Sequence, residues 1–240
     1  MRRFLLTLSI ILAFAAPTMA AEFTKQQIED IVKEYIKNNP KEIIDSVNAY
    51  GMQQQQEAEK NATNEVLKNM DWLTKNKNHA EAGNPKGDVT IVEFFDYNCG
   101  YCKQAFSDVM TLLDSDKNIR VVFIEIPILG ANSSEVAAWA LAADKQGKYF
   151  EYHSALMRHK GPFDEAVLSD YAKKAGLDVS KLKKDKADTS IISILEENTS
   201  KAASMGITGT PAFVVGSQVI RGYVGVEGLR DAVKTARAKK

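Results

Sequence analysis

The stretch IVEFFDYNCGYC, residues 91–102, decides how this chain is read. Together with Val89 and Thr90, its first half is β-branched and aromatic and predicts a buried central strand. The chain then turns through Asp96, Tyr97 and Asn98, and a C-x-x-C pair follows. Ala105, Phe106, Val109, Leu112 and Leu113 recur at helical spacing, so the pair stands at a helix start. Cys99 and Cys102 are the only cysteines in the sequence. Two thiols at that spacing on a helix N-terminus can trade electrons with other disulfides.

Working outward, the first residues carry an address. Met1, Arg2 and Arg3 form a basic start, residues 4–16 an apolar run too short to span a bilayer comfortably, and Thr18-Met19-Ala20 a small-residue cleavage pattern. A cleaved signal peptide over residues 1–20 is expected, and with it export to an oxidising space. An exported protein that uses disulfides for stability carries several widely spaced cysteines. Cys99 and Cys102 close almost no loop, so their chemistry is the better reason for them. With 31 Lys and Arg against 31 Asp and Glu, no net basic charge draws the chain to nucleic acid, and no nucleic-acid partner is expected.

The expected domains are 1–20, 21–76 and 77–240. Thr24 and Gln27 have the spacing of a capping box, and Ile28, Ile31, Val32, Tyr35 and Ile36 share one face of the helix that follows. Asn39-Pro40 reads as a stop and restart, with Ile43, Ile44, Val47 and Tyr50 on a second helix. Residues 52–60, MQQQQEAEK, favour helix but are polar all round and suggest a spacer. Val66, Leu67, Met70 and Leu73 then restore an apolar period. Residues 22–50 therefore present apolar faces with no local core to cover, which predicts a homo-oligomerisation segment.

Beyond the C-x-x-C helix, residues 119–126 predict a second strand parallel to the first. Helical pattern then runs through 134–145, 148–158, 164–174, 179–184 and 189–205, an insertion at about 131–205. Residues 211–215 and 218–221 predict a hairpin turning at Gly216-Ser217, and 226–236 a last helix. The fold class is α/β, one sheet of early and late strands with helices inserted between them.

FFDYNCGYC at 94–102, PILG at 127–130, KYFEYHSALM at 148–157 and GITGTPAFVVG at 206–216 resemble the thioredoxin fold with the helical insertion of DsbA-like periplasmic proteins. The likeness covers about residues 80–240. It implies that Cys99 attacks and Cys102 resolves, and that Thr210-Pro211 is a cis bond beside Cys99 offering an edge to client backbone. Gly100 and Tyr101 would tune the couple, where about 30 mV corresponds to about 1.4 kcal/mol. Glu93, in the strand below, is either a buried acid that exchanges a proton with Cys102 or a carboxylate at a solvated edge. Asp96 and Lys103 read as ordinary surface charges. No cofactor is expected: His153 and His159 fit a zinc set with the cysteines poorly, and a His on an amphipathic helix is usually structural.

The expected activity is thiol:disulfide exchange on unfolded or misoxidised exported proteins, with a membrane redox partner that is a DsbD-like reductant or a DsbB-like oxidase. C-G-Y-C with Thr before the proline resembles DsbC and DsbG isomerases and ScsC-type proteins, which tilts the reading to isomerase. A DsbA-type oxidase, a non-redox chaperone and a surface protein held by its N-terminal helices are the alternatives.

Overall fold

A computed structural model describes residues 22–130 and 132–239, so the expected signal peptide lies outside the described residues. The chain divides into two compact units, meeting in sequence at Gln53 and Gln54. Among the described residues no helix is long and apolar enough to cross a membrane.

The first unit holds α1, Lys25–Asn38, and the start of α2, Pro40–Lys68. The capping box forms as its spacing predicts: Gln27 N–H donates to the Thr24 hydroxyl, and the Gln27 carboxamide accepts from Thr24 N–H. No residue of α1 is buried. Ile28, Ile31, Val32, Tyr35, Ile36, Ile43, Ile44, Val47 and Tyr50 are all exposed, Val47 and Tyr50 by 65 %. Such a run of apolar side chains in water is unfavourable, at about 25 cal/mol for each Å² left uncovered.

In the second unit, β2, Val89–Phe95, pairs in parallel with β3, Ile119–Glu125, in the register Val89 to Ile119 through Phe95 to Glu125. Between them runs α4, Gly100–Ser115. The hairpin of β4, Ala212–Val215, and β5, Gln218–Arg221, adds antiparallel to the other side of β2, turning where Gly216 adopts φ +62°. A fifth strand, β1, Ala80–Gly83, pairs antiparallel with β3 and completes the order β1-β3-β2-β4-β5. Ala-Glu-Ala-Gly has little intrinsic β preference, so this strand exists by pairing and is fastened by the Glu81–Arg120 ion pair.

The insertion is all helical: α5, Ser133–Asp144; α6, Tyr149–Arg158; α7, Glu165–Lys174; α8, Val179–Asp185; and α9, Thr189–Ser204. Asp164, Asp178 and Asp188 each cap a helix start by accepting a backbone N–H. The last helix, α10, Gly225–Ala238, packs with α4 on one face of the sheet. Arg237 clasps Asp88 at 2.8 Å and Asp116 at 2.6 Å, joining its end to the start of β2 and the end of α4.

The opposite face is covered by α9, by α3, Met70–Lys75, and by the end of α2. Val66 and Leu73 are buried there with Val92, Phe94, Val122, Ile124, Met205 and Val214. Residues 54–76 thus belong to the second unit, ahead of the 76/77 boundary read from the sequence, because the sheet needs their side chains. Of the apolar positions expected there, Leu67 alone is exposed. Lys201 donates to Asn69 at 2.7 Å and Trp72 to Glu197 at 3.0 Å, holding this segment to α9. Leu73→Ala should cost about 2–5 kcal/mol, read as a lower urea midpoint. A chain beginning at residue 54 should keep the midpoint of the second unit, and one beginning at 77 should not.

Candidate active site

Cys99 is the N-cap residue of α4, with φ −81° and ψ 114°. Its sulfur stands where a helix usually carries a Ser or Asp oxygen, and it accepts the Cys102 N–H at 3.4 Å. On its other side the thiol donates to the Thr210 carbonyl at 3.3 Å. The Thr210–Pro211 bond is cis, as the resemblance implies. The buried Thr210 hydroxyl has no partner at hydrogen-bond distance, which leaves it able to turn toward a charged sulfur.

These donors act where negative charge would form. The Cys99 thiol is drawn from 9.0 to about 6, first by the hydrogen bond that the Cys102 thiol offers its sulfur. Burial opposes this shift, while the Thr210 side chain and the backbone N–H groups of Cys102 and Tyr101 reinforce it. Cys102 is fully buried one turn into the helix. Its thiol is pushed far above the ordinary range, by burial first and then by its bond to Cys99. The two sulfurs are therefore unlike: one ionises near neutrality, the other holds its proton.

Glu93 resolves to the buried alternative. It is 1 % exposed, neither carboxylate oxygen has a hydrogen-bond partner, and burial pushes its pKa up to about 8, with the Cys99 charge adding to the shift. Its charge in turn raises Cys102. Gly100 is exposed and a Cβ there would meet nothing within 4 Å. Tyr101 reaches Cys99 only through its backbone; its ring is 61 % exposed and stacks on Tyr223 at 6.0 Å, whose hydroxyl donates to Asp108 at 2.7 Å.

Two residues differ from their sequence reading. Asp96 is buried, not a surface charge, because its carboxylate is wanted as an acceptor: Asn98 N–H, Ile128 N–H, Leu129 N–H and the Ser133 hydroxyl all donate to it. Lys103 is half-buried, donating to the His159 carbonyl at 2.8 Å with its ammonium 5.0 Å from the Phe163 ring centre. Nothing in the composition marked either, since both depend on a loop and a helix far away in sequence.

His153 lies buried among Phe95, Phe106, Phe123 and Tyr149, bonded to the Tyr97 hydroxyl at 2.9 Å, and burial lowers its pKa to about 3. Among the described residues no group of three or more His, Cys, Asp or Glu could hold a metal. Two clefts, of about 470 Å³ beside Met70 and Val214 and about 740 Å³ between α5 and α9, are not lined by either cysteine.

Comparison with known proteins agrees with this geometry. A thioredoxin-like oxidoreductase from Silicibacter pomeroyi DSS-3 is 42 % identical, with a TM-score of 0.68 over 70 % of this chain and 97 % of that one. The thiol-disulfide exchange protein alpha-DsbA2 from Wolbachia pipientis is 28 % identical, with a TM-score of 0.67 over 72 % of this chain and 95 % of that one. A Na(+)/H(+) antiporter, NhaA 1, from Salinispora arenicola is 34 % identical over 158 residues, which are 65 % of this chain and only 24 % of the antiporter. The match is thus to one portion of a much longer protein. The model of the DSBA-like thioredoxin domain matches residues 90–234, spanning the C-x-x-C strand, the helical insertion and the last helix, and so the chain belongs to the DSBA-like thioredoxin domain family of thiol-disulfide oxidoreductases.

Proposed function

We propose that this protein is an extracytoplasmic disulfide isomerase for exported proteins. The observation that carries the thiol-disulfide exchange in this reading is the pairing of an acidified, hydrogen-bonded Cys99 sulfur with a buried Cys102 thiol above an unpartnered buried Glu93. In the reduced form the Cys99 thiolate attacks one sulfur of a wrong client disulfide. That S–S bond breaks, a mixed disulfide forms, and the second client sulfur leaves as a thiolate. A different client thiolate then attacks the mixed disulfide, makes a new client bond and frees Cys99, with no net change in electrons.

If the client stalls, Cys102 gives its proton toward Glu93 and attacks the Cys99 sulfur. The client leaves reduced and Cys99–Cys102 becomes a disulfide, which a membrane reductant returns to the dithiol with two electrons. The Thr210 carbonyl accepts the Cys99 thiol and is released once that thiol ionises, which suits an extended client strand pairing there by β-augmentation.

Two further features support isomerase. One is the C-G-Y-C motif with Thr210 before Pro211. The other is the exposed apolar face of residues 22–50, which we assign to self-association; several catalytic units in one assembly hold a scrambled client by more than one contact. A specific observation favours the alternative, an oxidase recharged by a membrane oxidant: a thiolate stable near pH 6 stabilises the dithiol form and makes the disulfide a stronger oxidant. Activity on scrambled ribonuclease against activity on reduced ribonuclease separates the two.

Alkylation of Cys99 should be half-maximal near pH 6 in the folded protein and near 9 after unfolding; a half-point near 9 in both would remove the mechanism. The sign for stability follows. The reduced fold should gain over its unfolded chain as pH rises from about 6 toward 9, and lose that gain as pH falls through 6.

Glu93→Gln should slow the Cys102 step, so that mixed disulfides accumulate. The same change should stabilise the protein at pH 8 by roughly 1–3 kcal/mol, because an acid whose folded pKa is raised costs stability once pH passes its unfolded value. Deleting residues 22–53 should give a monomer by light scattering that reacts with small disulfides yet loses isomerisation. An unchanged isomerase rate in that monomer would sink the role given to these helices.

A further inference from the structure

We infer that Asp96 is a positioning residue: it fixes Ile128 and Leu129 beside the Cys99 turn as an apolar contact for the client residues next to the attacked disulfide. The inference rests on the protein-substrate reading above and deepens it.

Asp96 is 2 % exposed, and a charge so placed needs full compensation. It has it. Oδ1 accepts from Asn98 N–H at 2.8 Å and from the Ser133 hydroxyl at 3.0 Å, while Oδ2 accepts from Ile128 N–H at 2.9 Å and Leu129 N–H at 3.0 Å. Its backbone serves the cysteines: the carbonyl accepts Cys99 N–H at 3.0 Å, and the N–H favours negative charge on the Cys102 sulfur. One residue therefore touches both halves of the redox pair and the loop after β3.

The loop has no strand partner of its own at 128–129, so its backbone would need water if the carboxylate were absent. Ile126 N–H still bonds the Phe95 carbonyl at 2.9 Å, whereas the N–H groups of Ile128 and Leu129 both end on Asp96. Asn98 adds a second lace, its side-chain amide donating to Asn132 at 2.9 Å and to Ser133 at 2.8 Å. With the main chain held inward, the side chains face out: Ile128 is 38 % exposed and Leu129 51 %. Two aliphatic groups held in water by the residue that also bonds the Cys99 N–H lower the ordering cost of binding an apolar client residue. An amide at 96 cannot replace the carboxylate, since its NH₂ would face N–H donors on one side.

The test compares two probes on the full chain: glutathione disulfide, too small and polar to use the contact, and a synthetic peptide with one internal disulfide flanked by leucines. Each probe is attacked by Cys99 and resolved by Cys102, ending as two thiols while the protein ends as a disulfide. For Asp96→Asn, and separately for Ile128→Ser with Leu129→Ser, the ratio of the single-turnover second-order rate constant on the peptide to that on glutathione disulfide should fall about tenfold, with the loss read as a higher concentration of peptide needed for half-maximal rate. A fall of equal size on both probes, or an unchanged ratio, overturns the inference. Should Asp96→Asn not fold, the Ile128→Ser, Leu129→Ser protein and Ser133→Ala decide, the latter with a smaller fall in the same direction. If the unaltered protein fails to react with glutathione disulfide, the redox reading itself fails instead.

Discussion

A sulfur in place of an oxygen at the start of α4 is the constraint on which the catalytic unit turns. The N-cap position carries unpaired backbone N–H groups and the positive end of the helix dipole, and Cys99 accepts there from Cys102 N–H. The same helix turn buries Cys102, whose thiol points its hydrogen at Cys99. The site needs little else to make two chemically identical groups behave differently. What the rest of the fold supplies is rigidity: β2 delivers the turn, α10 braces α4, and the β4 hairpin brings the Thr210 carbonyl to the sulfur.

Burial on both faces of β2 explains why so short a segment is dependable. Ile91 and Phe95 enter the core under α4, while Val92 and Phe94 enter the core closed by α3, α9 and the end of α2. Glu93 lies on the same side as Ile91 and Phe95, which is why it is both dry and electrically coupled to the cysteines. A strand filled on both sides reads as a continuous apolar run, and a lone acid within it stands out.

That pattern is why most of the architecture was legible in advance. Strong periodicity gave the insertion helices, and β-branched runs gave β2, β3 and the late hairpin, each within a residue or two. β1 was invisible because Ala80 to Gly83 carries no strand signal and owes its form to β3. The segment 54–76 looked like a free spacer because its surface residues outnumber the few, Ala62, Val66 and Leu73, that the sheet buries. Asp96 and Lys103 were misread for a related reason: a charge next to a motif looks solvated until the loop that covers it is known. The cysteines were readable because their spacing is chemical, Thr210 and Pro211 through the resemblance of residues 206–216, and Glu93 was readable as a position while its environment was not.

The two outer strands carry a consequence for how the sheet meets other chains. β1 and β5 are four residues each, and both bear charge at the rim, Glu81 paired with Arg120 and Arg221 paired with Glu59. Short, charged margins are poor templates for stray strands. An extended chain with unsatisfied backbone is thereby denied a zipper along the perimeter of the sheet, and fibre-like growth finds no ready start there.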